Sequence, residues 1–146
     1  MKAGGRILAV DWGERRIGLA LSDETQTLAQ PLATLTRRTG KRFPMARLVD
    51  LVNRHRVTGI IVGLPLDETG AEGDAAHAAK ALADDIKRRV GDLEVTMWDE
   101  RMTTARVLAA VREMGGSTRG RKADLDAMAA ALLLQHYLDA RRGTAL

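Results

Sequence analysis

The chain has 146 residues, a length that predicts a single domain over residues 1–146. It is 45% hydrophobic, carries a net charge of +4 and contains no cysteine, which excludes disulfides, thiolate metal sites and cysteine nucleophiles. No apolar run approaches the roughly 20 residues that span a bilayer, and the N-terminus lacks the pattern of a signal peptide. We therefore expect a cytoplasmic protein without a membrane partner, whose basic excess is compatible with a polyanionic ligand.

The first part of the chain predicts three consecutive strands, at Arg6 to Asp11, Arg16 to Ser22 and Thr27 to Leu35. The short connection between the first two favours an antiparallel hairpin. Pro31 cannot donate a hydrogen bond to a neighbouring strand, so the third strand is expected at an edge of the sheet.

Helices and strands then alternate. Apolar spacing predicts helices near residues 43–55, 73–90, 103–114 and 124–141, and strands near 59–63 and 93–98. This order predicts an α/β fold with a five-stranded mixed sheet and helices on both faces. The first, fourth and fifth strands should be parallel, because a crossover helix precedes each of the later two.

Three acids stand next to apolar segments: Asp11 and Glu100 at strand ends, and Asp126 at the start of the last helix. Each acid alone is better explained by a structural role. The carboxyl ends of parallel strands share one edge of a sheet, however, and a helix across that sheet can bring Asp126 to the same place. Three neighbouring carboxylates repel one another unless cations intervene, and all-oxygen ligation suits Mg²⁺ or Mn²⁺. Such ions can clamp a phosphodiester for hydrolysis.

Four motifs in register make a more specific comparison possible. The chain resembles the YqgF/RuvX family, named for Holliday junction resolvases and similar to RuvC, and the resemblance covers nearly its whole length. The motifs are Ile7–Gly13 with Arg16–Ala20, Ile61–Leu66, Asp99–Thr104 and Asp126–Ala130.

The resemblance implies a ribonuclease H-like fold and a metal-dependent nuclease that processes the 5′ end of precursor 16S ribosomal RNA. Branched DNA is the alternative substrate, and a non-catalytic nucleic-acid-binding assembly factor is the alternative function. RuvC-like resolvases act as dimers, which leaves a homodimer open.

The family pattern matches Asp11, Glu100 and Asp126 as the catalytic and metal-binding acids. Asp124 competes for the third role, but we interpret it as the N-cap of the last helix. RuvC-type sites often add a fourth acid one turn away, and alanines occupy those positions here, which puts a second metal in doubt.

Basic residues near the acids are the expected nucleic-acid contacts. Arg119, Arg121 and Lys122 lie on a Gly-rich loop before Asp126, where a merely solvated loop is the alternative, and Arg101 can instead fix Glu100. The full predicted set is Arg15, Arg16, Arg101, Arg119, Arg121 and Lys122.

The two tryptophans, Trp12 and Trp98, lie near the acids, and we interpret both as core residues. Aromatic residues are too few to predict a platform for stacking bases. The three histidines lie away from the motifs, so no histidine general base is expected.

Overall fold

The computed structural model describes residues 1–38, 40–67, 69–100 and 122–143. Five strands form one sheet in the order β3-β2-β1-β4-β5. The strands are β1 (Arg6–Asp11), β2 (Arg16–Ser22), β3 (Ala29–Thr36), β4 (Val57–Leu64) and β5 (Glu94–Asp99). Three helices are described: α1 (Met45–Arg54), α2 (Asp74–Val90) and α3 (Lys122–Arg141).

The strand pairing agrees with the predicted topology. β1 pairs with β2 and β2 with β3 in antiparallel register, whereas β1–β4 and β4–β5 are parallel. β3 lies at the edge, as Pro31 predicts, and the β2–β3 register shifts between Leu19 and Ala20, where Pro31 pairs. The carboxyl ends of β1, β4 and β5 therefore share one edge of the sheet.

Helices cover both faces because successive strand residues point to opposite sides. Leu8 and Val10 belong to the core cluster beneath α1 and α2, while Ile7 and Ala9 belong to the cluster beneath α3. The predicted α/β class with a five-stranded mixed sheet is confirmed.

α3 packs closely on β2 because both contribute small residues. A methyl group placed at Gly18 would lie only 1.9 Å from the carbonyl oxygen of Asp126, so the backbones are nearly in contact there. The buried alanines of α3 extend this close contact: Ala127, Ala129, Ala130 and Ala131.

The structure differs from the prediction at the start of the last helix. α3 begins at Lys122, so the interpretation of Asp124 as its N-cap is wrong: that residue lies inside the first turn. The helix predicted at 103–114 falls outside the described residues. Among the helices within the described residues, none combines the length and the hydropathy that a membrane span requires.

Candidate active site

The first acid, Asp11, is the last residue of β1 and is only 2% exposed. It pairs in register with Gly18 of β2. Since Ile7 and Ala9 face α3, alternation along the strand turns Asp11 toward the same helix. β1 therefore places this carboxylate at the edge of the sheet where the parallel strands end.

Glu100 directly follows β5 and is 7% exposed. Its backbone N–H donates to the carbonyl of Leu64 at 3.4 Å, which ties it to the end of β4. A methyl group at Gly63 would lie 2.5 Å from Glu100 Oε2 and 2.9 Å from Leu133 of α3. The absence of a side chain at Gly63 thus makes room for the Glu100 carboxylate on the α3 face of the sheet.

Asp126 is fully buried in α3, and its carboxylate pairs with a residue of β2. Arg16 Nε donates to Asp126 Oδ2 at 2.7 Å, and the Arg16 side chain is 24% exposed. Burying a carboxylate costs several kcal/mol unless an opposite charge compensates it. Arg16 supplies that charge, a role that the prediction of Arg16 as a nucleic-acid contact did not include.

The structure brings the three acids to one end and one face of the sheet without forming a tight cluster. Within residues 1–38, 40–67, 69–100 and 122–143, no three His, Asp or Glu side chains are close enough together to hold one metal ion. The donors have the chemistry that a hard cation requires, because all three are buried carboxylates. Gathering them around one cation requires side-chain rearrangement, most directly at Asp126, which Arg16 engages.

Aromatic contacts join the end of β5 to α3 near this region. Trp98 Nε1 donates to His136 Nδ1 at 3.1 Å, and the Trp98 ring meets Tyr137 edge-on with centroids 5.0 Å apart. These contacts attach the end of β5 to α3.

The remaining predicted nucleic-acid contacts are only partly described. Arg15 is exposed in the turn after Asp11. Lys122 is the first residue of α3. Arg101, Arg119 and Arg121 lie outside the described residues, so their roles stay predictions.

The sequence matches a family model over residues 5–140, described as "RuvX: Holliday junction resolvase". The chain belongs to the RuvX family. Relatives named "Putative pre-16S rRNA nuclease" match over 93% of the chain. The protein of Acetivibrio thermocellus is 37% identical, with 96% of its own length covered, and that of Chloroflexus aurantiacus is 40% identical, with 88% covered. The predicted membership is therefore confirmed.

The fold of this RuvX chain is similar to that of RuvC. The structure of Thermus thermophilus RuvC in complex with a Holliday junction substrate matches with a TM-score of 0.57 and 19% identity, covering 96% of this chain and 97% of RuvC. A second Thermus thermophilus RuvC structure matches with the same TM-score and 18% identity. The likeness at this identity concerns the fold, and it confirms the predicted ribonuclease H-like architecture.

Proposed function

We propose that the chain is a nuclease that hydrolyses phosphodiester bonds, and that its substrate is the 5′ end of precursor 16S ribosomal RNA. The observation that carries the proposal is the set of three buried carboxylates at one end of the sheet, on the face covered by α3. The names of the relatives support RNA as the substrate. A nuclease with this substrate works in the cytoplasm, which we propose as its location.

Asp11, Glu100 and Asp126 are the residues that would hold Mg²⁺ or Mn²⁺ in this proposal. Such a cation supplies Lewis-acid stabilisation of the charge that develops on a phosphodiester during hydrolysis. The chain fixes the backbone position of each ligand: a strand end for Asp11, the space beside Gly63 for Glu100 and the close α3–β2 contact for Asp126. Arg16 holds the Asp126 carboxylate in the pairing that the structure shows.

Basic residues around the acids would bind the phosphates on either side of the cleaved bond. Arg15 is exposed next to Asp11 and fits this role. We retain Arg101, Arg119, Arg121 and Lys122 as further proposed contacts. A homodimer also stays a prediction.

Four-way DNA is the second candidate substrate, because the matching family model is described as a Holliday junction resolvase. A cleavage panel separates the two. Precursor 16S RNA with its 5′ extension and a four-way DNA junction of equal strand length are each incubated with Mg²⁺, with Mn²⁺ and with chelator. The proposal expects cation-dependent cleavage of the RNA, with weaker or no cutting of the junction. Cleavage of the junction alone would indicate that DNA is the substrate. Cleavage of neither the RNA nor the junction would favour the non-catalytic assembly factor.

A further inference from the structure

A cleft opens on the face of the sheet opposite α3, between the end of β1, the start of α1 and one side of α2. It has a volume of about 300 Å³. Its aromatic residues are Trp12 and Phe43, and its charged residues are Arg37, Arg42 and Asp85. This volume is at the lower end of the range of ligand pockets, so the cleft suits one flat group rather than a helix or a folded partner.

The cleft lies immediately next to the candidate active site along the chain. Trp12 directly follows Asp11, and consecutive Cα atoms are about 3.8 Å apart. The Trp12 side chain packs against the core cluster beneath α1 and α2, whereas Asp11 faces α3. A nucleic-acid strand with a phosphate near Asp11 therefore has to pass over the end of β1 to bring a nearby nucleotide to the cleft on the opposite face.

The walls of the cleft are aromatic and held in place. Trp12 and Phe43 are both only partly buried, and both line the cleft. The Arg37 guanidinium lies over the Phe43 ring, 5.2 Å from its centroid. Arg37 Nε also donates to the carbonyl of Glu14 at 2.5 Å, and this links the wall to the β1–β2 turn.

The charge at the rim favours an anion. Arg42 is exposed, and Arg37 adds a second positive charge to the lining of the cleft. The carboxylate of Asp85 is offset by Arg88 and Arg89, at 3.4 and 3.1 Å. An aromatic cleft beside cationic groups is the combination that binds single-stranded nucleic acid, with bases stacked on rings and phosphates held by arginine.

We propose that this cleft receives one unpaired base of the nucleic-acid substrate, stacked on Trp12, while Arg37 and Arg42 bind the adjacent phosphates. The inference rests on the proposed nuclease function and adds to it a preference for a substrate with an unpaired nucleotide next to the cleaved bond. It also revises the interpretation of Trp12 as a core residue only.

Intrinsic fluorescence tests the stacking directly, because the chain has two tryptophans. In the Trp98→Phe variant Trp12 is the single tryptophan. We expect single-stranded RNA, added in the presence of a chelator, to quench its fluorescence, and an abasic oligomer of equal length to leave it nearly unchanged. Equal quenching by the two oligomers would overturn the inference. So would a fluorescence change that depends on protein concentration alone, because it would mean that a second copy of the chain covers the cleft.

Affinity measurements by fluorescence anisotropy provide the second arm. Trp12→Ala should weaken RNA binding by about 5- to 150-fold, the range for loss of one stacked base, whereas Trp12→Phe should retain most of the affinity. The Phe variant keeps the test valid if the Ala variant does not fold. Unchanged affinity in a folded Trp12→Ala variant would contradict the proposal.

The phosphate contacts have their own control. Arg42→Ala should reduce the slope of log affinity against log salt concentration by about 1. The control is Arg47→Ala, which removes the same charge from α1 outside the cleft and should change the affinity and the slope less. Equal effects of the two variants would remove Arg42 from the site. If the wild type cleaves RNA but Trp12 does not respond to bases, the cleft inference fails alone; if it neither binds nor cleaves RNA or DNA, the nuclease proposal fails as well.

Discussion

The pair between Arg16 and Asp126 gives the most specific prediction about the stability of the site. Asp126 is fully buried and Arg16 Nε lies 2.7 Å from its Oδ2. Removing one partner of a buried pair costs about 3–5 kcal/mol, and the lower end applies because Arg16 is 24% exposed. Arg16→Met, which keeps most of the apolar stem, should therefore lower the free energy of unfolding by about 3 kcal/mol.

Thermal unfolding measures this loss. For a chain of 146 residues the unfolding entropy is about 0.3 kcal/mol/K, which converts the loss into a fall in Tm of about 10 °C. The matched control is Arg88→Met, because Arg88 is 69% exposed and pairs with Asp85 at 3.4 Å on the surface. The control should change stability by less than about 1 kcal/mol.

A double-mutant cycle with Asp126→Asn identifies the cause. If the pair carries the effect, Arg16→Met should cost much less stability in the Asp126→Asn background than in the wild type. An Arg16→Met variant that melts within about 2 °C of Arg88→Met would refute the reasoning.

Two further predictions concern one glycine and one acid. Gly63→Ala should displace the Glu100 carboxylate, because the added methyl would lie 2.5 Å from Glu100 Oε2, and we expect the cleavage rate to fall at least about tenfold. Gly73→Ala is the control and should stay active, because its methyl would meet no atom within 4 Å. Equal activity of the two variants in the RNA cleavage assay would contradict this role of Gly63. Hydrogen bonds from the Thr25 hydroxyl and the Thr27 backbone N–H hold the pKa of Asp23 below its ordinary value of 3.8. The ionised Asp23 therefore stabilises the fold at pH values above 3.8, and this stabilisation is lost as the pH falls through the lowered pKa. Chemical denaturation between pH 2 and 6 should show a weaker loss of stability on acidification in Asp23→Asn, and identical pH profiles would rule the contribution out.

The sequence predicted most of the sheet because its signals there are local. Apolar runs that end at Asp11 and Glu100 locate the strand ends, and Pro31 identifies an edge strand. Parallel pairing follows from the crossover helices. These features determine which edge of the sheet carries the acids before any side-chain contact is known.

The details that the sequence did not predict depend on contacts between distant segments. The pair of Arg16 with Asp126 joins residues 110 positions apart, and an arginine beside a candidate nuclease site is equally typical of a phosphate contact. One signal for this pair was available in the sequence. Arg16, Gly18 and Ala20 occupy every second position of β2, which indicates that their side chains lie on the same face of the sheet. Trp12 was interpreted as a core residue; its side chain does pack against the core cluster, but it also lines the cleft that α1 and α2 form, which only the packing of these helices shows.

The most direct test of the proposed active site is cleavage of precursor 16S RNA by Asp11→Asn beside the wild type, with Mg²⁺ and Mn²⁺. Asp50→Asn is the matched control, since Asp50 is an exposed acid on α1. We expect Asp11→Asn to stay folded and to lose more than about a hundredfold in cleavage rate, and Asp50→Asn to keep its activity. Undiminished cleavage by a folded Asp11→Asn variant would contradict the assignment of the buried carboxylates as the catalytic site.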